Sequence, residues 1–219
     1  MKAVCLVSGG PDSAVAAAIA KHEGYELYCL TFNYGQIATK ELESAKKIAK
    51  ALGAKKHRIV DITFLKNLYG PGVTALLDEN MPMPKGFEQS VIVPFRNGIL
   101  LSIAAGYAMA IGADVIFYGA QGDDAKFYPD CRQEFVSAIS RAISSGTESK
   151  LTVRNPLGDK TKAEAIKLAV KLGVPLELTW SCYLNLKTHC GRCESCRNRK
   201  RAFKEAGAKD PTVYADQSV

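Results

Sequence analysis

Ala3-Val4-Cys5-Leu6-Val7-Ser8-Gly9-Gly10-Pro11-Asp12-Ser13 is an apolar run that ends in a Ser-Gly-Gly-x-Asp-Ser turn, and an alanine-rich stretch follows it. Five consecutive apolar residues fit a short strand buried on both faces, and the stretch over 12–22 fits a helix. Glycines at such a junction supply positive φ and let backbone N–H groups approach a ligand closely. Pro11 suits the first helical position, where a missing N–H costs nothing. The helix start offers unpaired N–H groups and the positive end of its dipole, which favour an anion such as phosphate. Ser8 and Ser13 add hydroxyl donors. The candidate nucleotide-binding residues are therefore Val7, Ser8, Gly9, Gly10, Pro11, Asp12, Ser13, Ala14 and Val15. No Gly-Lys-Ser/Thr follows, so this is not a Walker loop, and the Gly-x-Gly-x-x-Gly spacing of a dinucleotide fold is absent. A plain tight connection is the alternative reading of a bare Gly-Gly turn.

Outward from this turn, strand and helix patterns alternate. Strands are predicted over 27–32, 58–62 and 114–118. Helices are predicted over 39–52 (closed by Gly53), 97–111 (closed by Gly112), 132–143 and 162–172 (closed by Gly173 and Pro175). The alternation predicts an α/β fold with a Rossmann-like parallel sheet covered on both faces. No internal repeat or low-complexity segment occurs, so a single domain over 1–219 is expected. Between residues 70 and 94 the pattern dissolves into Gly, Pro and Met. Loops of this length in compact domains are usually functional, and this one is read as a lid.

Composition narrows the class. The 219 residues are 47% apolar and 23% charged, within the range of ordinary soluble chains. The longest apolar run, over 99–111, has 13 residues against the roughly 20 a bilayer needs, so it reads as a buried helix. One Lys and a few apolar residues ahead of Ser8 are too short for a signal peptide, and a cytoplasmic protein without a membrane partner is expected. The net charge of +7 is concentrated over 187–204, which holds seven Lys or Arg and one Glu. Such a balance favours anionic partners: RNA, nucleotides or a carboxylate substrate. A solvated helix face is the simpler reading of that segment.

Seven cysteines is an odd number, and four of them, Cys182, Cys190, Cys193 and Cys196, form a C-x7-C-x2-C-x2-C pattern. Two-residue gaps let thiolates converge on one ion, and four of them close a tetrahedral structural Zn²⁺ site within a submotif over 180–203. His189 is available as a substitute ligand. An iron–sulfur cluster is the rival, but the ferredoxin run continues with three residues and Cys-Pro, whereas Lys200 and Arg201 stand here. Unliganded buried thiols are the remaining alternative. Cys5, Cys29 and Cys131 read as small core or pocket-wall residues.

The Ser-Gly-Gly-x-Asp-Ser turn resembles the PP-loop of ATP pyrophosphatases, adenine nucleotide α-hydrolase-like enzymes that cleave ATP between the α and β phosphates and adenylate a substrate oxygen. Further segments narrow the likeness: Phe32-Asn33-Tyr34-Gly35-Gln36, Pro94-Phe95-Arg96-Asn97, Tyr128-Pro129-Asp130-Cys131-Arg132-Gln133-Glu134-Phe135 and Thr179-Trp180-Ser181-Cys182-Tyr183, with the stretch from Cys190 to Phe203. Together these are similar to the QueC family, the 7-cyano-7-deazaguanine synthases of the queuosine and archaeosine pathways, over about residues 3–214. The family often has a small residue at the position of Phe95 and Asn at that of Gln121, and both positions are expected beside the base pocket. Residues 122–127 follow the family loosely while keeping Asp124.

The resemblance implies that 7-carboxy-7-deazaguanine, ammonia and ATP become 7-cyano-7-deazaguanine. The acid is adenylated and aminated to an amide, which is adenylated in turn and loses AMP. Mg²⁺ would shield the triphosphate. Ser8, Gly9, Gly10, Asp12 and Ser13 would hold phosphates, with Asp12 near Mg²⁺ or merely complementing the helix dipole. Lys162 matches a family lysine for phosphate, an exposed helix lysine being the alternative. Arg96 has bidentate geometry for phosphate or carboxylate. Asp124 and Asp130 would accept from the guanine-like N–H edge and Arg132 would hold the carboxylate, or all three tie loops. Tyr34 or Tyr128 would stack on a ring. A homodimer without direct nucleic-acid binding is implied. Two rivals stay open: a PP-loop tRNA thiolase or lysidine-type ligase, against which no separate RNA-binding domain fits the length, and a non-catalytic nucleotide-binding regulator.

Overall fold

The computed structural model describes residues 1–84 and 86–216. Five parallel strands, β1 (Lys2–Leu6), β2 (Glu26–Asn33), β3 (Lys56–Asp61), β4 (Val115–Phe117) and β5 (Thr152–Arg154), form one sheet in the order β3-β2-β1-β4-β5. Seven α-helices occur among the described residues: α1 (Pro11–His22), α2 (Lys40–Ala51), α3 (Phe64–Tyr69), α4 (Arg96–Ile111), α5 (Gln133–Thr147), α6 (Lys162–Lys171) and α7 (Glu194–Ala206).

The central strand explains the continuous apolar run of the opening segment. Ala3 and Cys5 pack into a layer with α1, α2, α6 and the end of α7, whereas Val4 and Leu6 face a second layer with α4 and α5. Both faces of β1 are therefore dry, and polar alternation has no place in it. Helix α1 is rich in alanine because it lies close against the sheet, with Ala14, Ala16, Ala17, Ala18 and Ala20 all buried.

The element pattern matches expectation in order, with boundaries shifted by a few residues. Strand β5 and the short helix α3 are additions, while the basic segment over 187–204 is helical from Glu194 onward as α7. Strand β5 has three residues, too few for periodicity to register, and α3 has only six. The apolar helix α4 packs on β1 and β4. With its preceding turn, the stretch Gln89–Ile111 has a mean hydropathy of 1.4, enough by length and composition for a membrane span, and 39% of that window is buried inside the molecule. Residues 70–84 and 86–94 cross between α3 and α4, tied by Ala75 N donating to Ser90 O at 2.7 Å and Tyr69 Oη donating to Pro94 O at 2.8 Å.

The strand order reverses between β1 and β4, so the chain leaves these two neighbours in opposite directions and a crevice opens at their carboxyl ends. The site is there.

Candidate active site

The turn after β1 is held by its own polar atoms. Ser13 Oγ accepts from Ser8 N and Ser8 Oγ, both at 3.1 Å, and donates to Gly10 O at 3.0 Å. Gly9 has φ +97°, and a Cβ there would lie 2.3 Å from Glu41 O, so α2 and the turn meet without space for a side chain. Gly9 O in turn accepts from Trp180 N at 2.8 Å, joining the turn to the cysteine region. On the other side, Gly119 follows β4 so closely that a Cβ would lie 2.4 Å from Asp12 O. Ala14 and Val15 are buried beneath the turn as packing residues, while Val7, Ser8, Gly10, Pro11, Asp12 and Ser13 line a cavity of about 270 Å³.

The cavity gathers residues from distant parts of the chain. Lys162 Nζ reaches Asp12 Oδ2 at 3.2 Å in a pair that is more than four-fifths buried on both sides. A capping box between Thr161 and Glu164 fixes the start of α6, and Lys162 N donates to Asp123 Oδ2 at 3.1 Å, which aims the lysine inward. Asp124 faces the same cation; burial pushes its carboxyl up to about 6 despite Lys162, with Asp12 and Glu194 adding to the rise. Two buried oxygens on this cavity, Asp12 Oδ1 and Tyr118 Oη, have no hydrogen-bond partner among the described residues. Orphaned buried polar atoms are rare enough to point to a ligand.

The opposite wall is built by the segments that carry the family likeness. Gln36 closes the turn after β2, accepting from Tyr34 N at 2.9 Å and donating to Phe32 O at 3.2 Å. Arg96 Nη1 donates to Tyr34 Oη at 3.1 Å. Asn97 N donates to Asp130 Oδ2 at 3.0 Å and Asn97 Nδ2 to Asp130 O at 3.3 Å, locking the start of α4 to the 129–131 turn. Arg96 is opposed by desolvation but surrounded by Tyr34, Glu41 and Asp130, which together raise its pKa and keep it charged.

Of the predicted site residues, Asp12, Ser13, Arg96, Asp124, Asp130 and Lys162 meet on this cavity. Arg132 does not: it is exposed, its Nε donates to Ala125 O at 3.1 Å, and it ties the 124–131 loop. Phe95 and Gln121 also lie off the cavity. Phe95 is 60% exposed against Phe135, and Gln121 is buried beneath the loop, accepting from Asp123 N at 2.8 Å. Tyr34 and Tyr128 are both on the wall, while the 70–94 crossing contributes Leu76, Val91 and Val93. Sequence reading does not single out Glu41, Tyr118, Tyr183, Glu194 or Asn198, which also line it. Glu41 sits in a Lys-Glu-Leu-Glu run that reads as a solvated helix start, and no motif signals it.

Cys182, Cys190, Cys193 and Cys196 converge with their sulfurs within 4.8 Å of one another, all buried. Cys182 Sγ accepts from Leu184 N and Cys190 N, both at 3.4 Å, and Cys190 Sγ accepts from Arg192 N at 3.4 Å and Cys193 N at 3.2 Å. N–H groups aimed at sulfur favour thiolates, and four thiolates fit a closed metal site. His189 is no ligand in this arrangement, since its Nε2 accepts from Ser181 N at 3.0 Å. The module is not peripheral. Trp180, Ser181, Tyr183, Glu194, Ser195 and Asn198 carry its side of the cavity wall, with Tyr183 Oη donating to Glu194 at 2.8 Å. Arg199, counted above within a basic helix face, is fully buried and donates to Asp210, Thr179, Ser181 and Leu176.

A parallel sheet with this anion-binding turn at its switch point defines a nucleotide-binding protein of the PP-loop ATP pyrophosphatase class. Solved structures share the fold. A 4-thiouridine synthetase–RNA complex with bound ATP aligns with TM-score 0.52 and 20% identity over 94% of this chain and 50% of that one. An NH3-dependent NAD synthetase from Campylobacter jejuni aligns with TM-score 0.50 and 18% identity over 81% and 66%. Within that class the chain belongs to the QueC family, whose model, described as queuosine biosynthesis protein QueC, matches residues 2–207. It is 45% identical to the 7-cyano-7-deazaguanine synthase of Sulfurovum sp. over 97% of this chain and 98% of that one. It is 44% identical to the synthase of Methanospirillum hungatei over 98% and 100%.

Proposed function

We propose that this chain is an ATP-dependent 7-cyano-7-deazaguanine synthase that works as a single domain in the cytoplasm, converting 7-carboxy-7-deazaguanine and ammonia to the nitrile in queuosine biosynthesis. The observation that carries this reading is the meeting of the Ser-Gly-Gly-x-Asp-Ser turn, Arg96 and the Lys162 wall on one cavity in a chain of this family. A carboxylate oxygen is a poor leaving group. Its attack on the α-phosphorus of ATP expels pyrophosphate and makes that oxygen part of AMP. Ammonia then adds at the carbon and AMP departs, leaving an amide. A second ATP takes the amide oxygen, and loss of the remaining nitrogen protons with AMP leaves the nitrile.

Residue roles follow from position. Ser8, Gly9, Gly10 and Ser13 with the start of α1 hold phosphates, and Lys162 neutralises them. Asp12, with its orphaned oxygen, and Asp124 fit Mg²⁺, which supplies charge shielding on the triphosphate. Arg96 grips the substrate carboxylate, whereas Arg132, exposed and bonded to Ala125 O, does not line the cavity. Asp124 or Asp130 accepts from the guanine-like N–H edge. Zn²⁺ suits the four sulfurs and has a structural task, since four protein ligands leave no open position. The outer face of α4, with exposed Phe95, Ser102, Gly106, Met109 and Ala110, supports a homodimer, because it is apolar and small enough for close helix contact.

The test is product analysis by mass spectrometry with ATP, ammonia and 7-carboxy-7-deazaguanine. The nitrile should form with two AMP and two pyrophosphate. Stoichiometric ADP and phosphate would refute adenylation.

A further inference from the structure

Glu41 and Glu194 are the carboxylates on this cavity that the roles above leave unused, and of the two Glu41 has the freer side chain. It lies in the first turn of α2, whose backbone abuts Gly9, and its side chain lines the cavity beside Ser8, Tyr34 and Arg96. The other carboxylates there are engaged or face a cation: Asp12 and Asp124 with Lys162, Asp130 with Asn97, Glu194 with Tyr183 and Asn198. Among the described residues the Glu41 carboxylate forms no hydrogen bond and no ion pair within 4 Å, while its backbone N donates to Ala38 O at 3.1 Å.

Its surroundings suit reversible protonation. Arg96 from α4 and the Tyr34 hydroxyl after β2 face it, and Asp130 lies on the same guanidinium. On its own helix, Lys40 is turned away, donating to Lys187 O at 2.8 Å. Burial pushes the Glu41 carboxyl up to about 7, with Arg96 opposing the rise. A carboxyl balanced near neutrality serves as a general base at working pH.

A role for Glu41 in the chemistry rests on the reaction proposed above. If Arg96 grips the substrate carboxylate, the reacting carbon lies at the Glu41 wall, and the incoming nitrogen beside it must shed protons in both rounds. We propose that the Glu41 carboxylate is the base that takes them. After ammonia adds, Glu41 removes one proton from the cationic nitrogen, whose N–H pair becomes a lone pair. The carbonyl re-forms and the carbon–oxygen bond to AMP breaks, its pair leaving with AMP. In the second round attack of the amide oxygen on ATP leaves a nitrogen with two protons; Glu41 takes the first, which gives the neutral imidate, passes it to solvent and then takes the second. That N–H pair becomes the third carbon–nitrogen bond as AMP leaves. Solvent collects the proton each time.

Adenylation of the acid moves no nitrogen proton, so the two kinds of step separate. The experiment compares wild type, Glu41→Gln and Glu41→Asp. It follows acid-dependent exchange of labelled pyrophosphate into ATP without ammonia, then amide and nitrile formation with ammonia, each across pH 5.5–9. Glu41→Gln should keep exchange within about tenfold of wild type while amide and nitrile formation fall about 10²–10⁴-fold, the span of general-base contributions. The wild-type amination rate should rise to a plateau through an inflection near 7. Glu41→Gln should lose that inflection, and Glu41→Asp should restore it at a lower rate. Parallel loss of exchange and amination in both variants overturns the proposal, as does Glu41→Gln with a wild-type rate and profile. No exchange and no nitrile with wild type would overturn the reaction reading itself, and this proposal with it.

Discussion

Ser13 Oγ closes the turn after β1 through three contacts, which hold the turn in shape. Ser13→Ala should slow adenylation by about 10–100-fold, the loss of one or two hydrogen bonds to charged groups, while leaving bound zinc unchanged by metal analysis. Asp124 offers a test that needs no substrate. Its folded carboxyl titrates at about 6, raised by burial, whereas an unfolded Asp titrates near 3.9. Between those values the folded state binds more protons than the unfolded one, so stability falls as pH rises through this window. Asp124→Asn should therefore raise the thermal midpoint at pH 7.5, by about 2–4 °C per kcal/mol released, and leave it nearly unchanged at pH 4. Calorimetry at the two pH values decides it, and equal shifts would mean that burial of the charge is not the cause. These residues differ in legibility. Ser13 stands in a motif whose chemistry is local, whereas Asp124 and Glu41 acquire their character from neighbours far along the chain.

At the scale of elements, the start of α4 shows a paired accommodation. Phe95 has φ +51°, in the left-handed region that favours glycine, and its ring fills the space a side chain at 98 would need, since a Cβ on Gly98 would lie 2.3 Å from it. The residue at 95 and the glycine at 98 therefore have a physical link. Gly98→Ala alone should destabilise by no more than about 1 kcal/mol, because the Phe95 ring it meets is 60% exposed and can swing aside, and combination with Phe95→Gly should recover that loss. Denaturant titration of both variants and the double variant measures the coupling; simple additivity would remove the link. The cysteine module is the second element with a prediction. Metal analysis should find one zinc per chain with neither iron nor acid-labile sulfide. Cys193→Ser should lower folded yield and stability, and a brown protein with a charge-transfer band would reverse the metal assignment. The spacing of the four cysteines carries that chemistry openly. That α7 beyond them is a helix, with Arg199 inside and Glu194 on the cavity wall, is not written in the spacing.

The whole molecule carries one Ser-Gly-Gly-x-Asp-Ser turn and no repeat, so both oxygens of the acid must be activated at the same loop with nucleotide exchange between rounds. The amide is then a substrate in its own right. Supplied with 7-amido-7-deazaguanine and ATP but no ammonia, the protein should make the nitrile with one AMP per product, read by mass spectrometry. Binding of the amide without dehydration would end the two-round account.

The sequence by itself determined the parallel α/β order, the Ser-Gly-Gly-x-Asp-Ser turn between strand and helix, the four-cysteine cluster and the family. Each of these rests on contiguous residues or short spacings, where backbone geometry and ligand reach are local properties. Only the tertiary structure decided which side chains share the cavity. It moved Arg132 out to a loop tie and brought Lys162 to Asp12 across 150 positions. It also set Glu41 beside Arg96 and drew the cysteine module into the wall of the site. Burial and the field of distant charges decide protonation and partnership, and neither exists until the sheet reverses direction at β1 and the helices close over it.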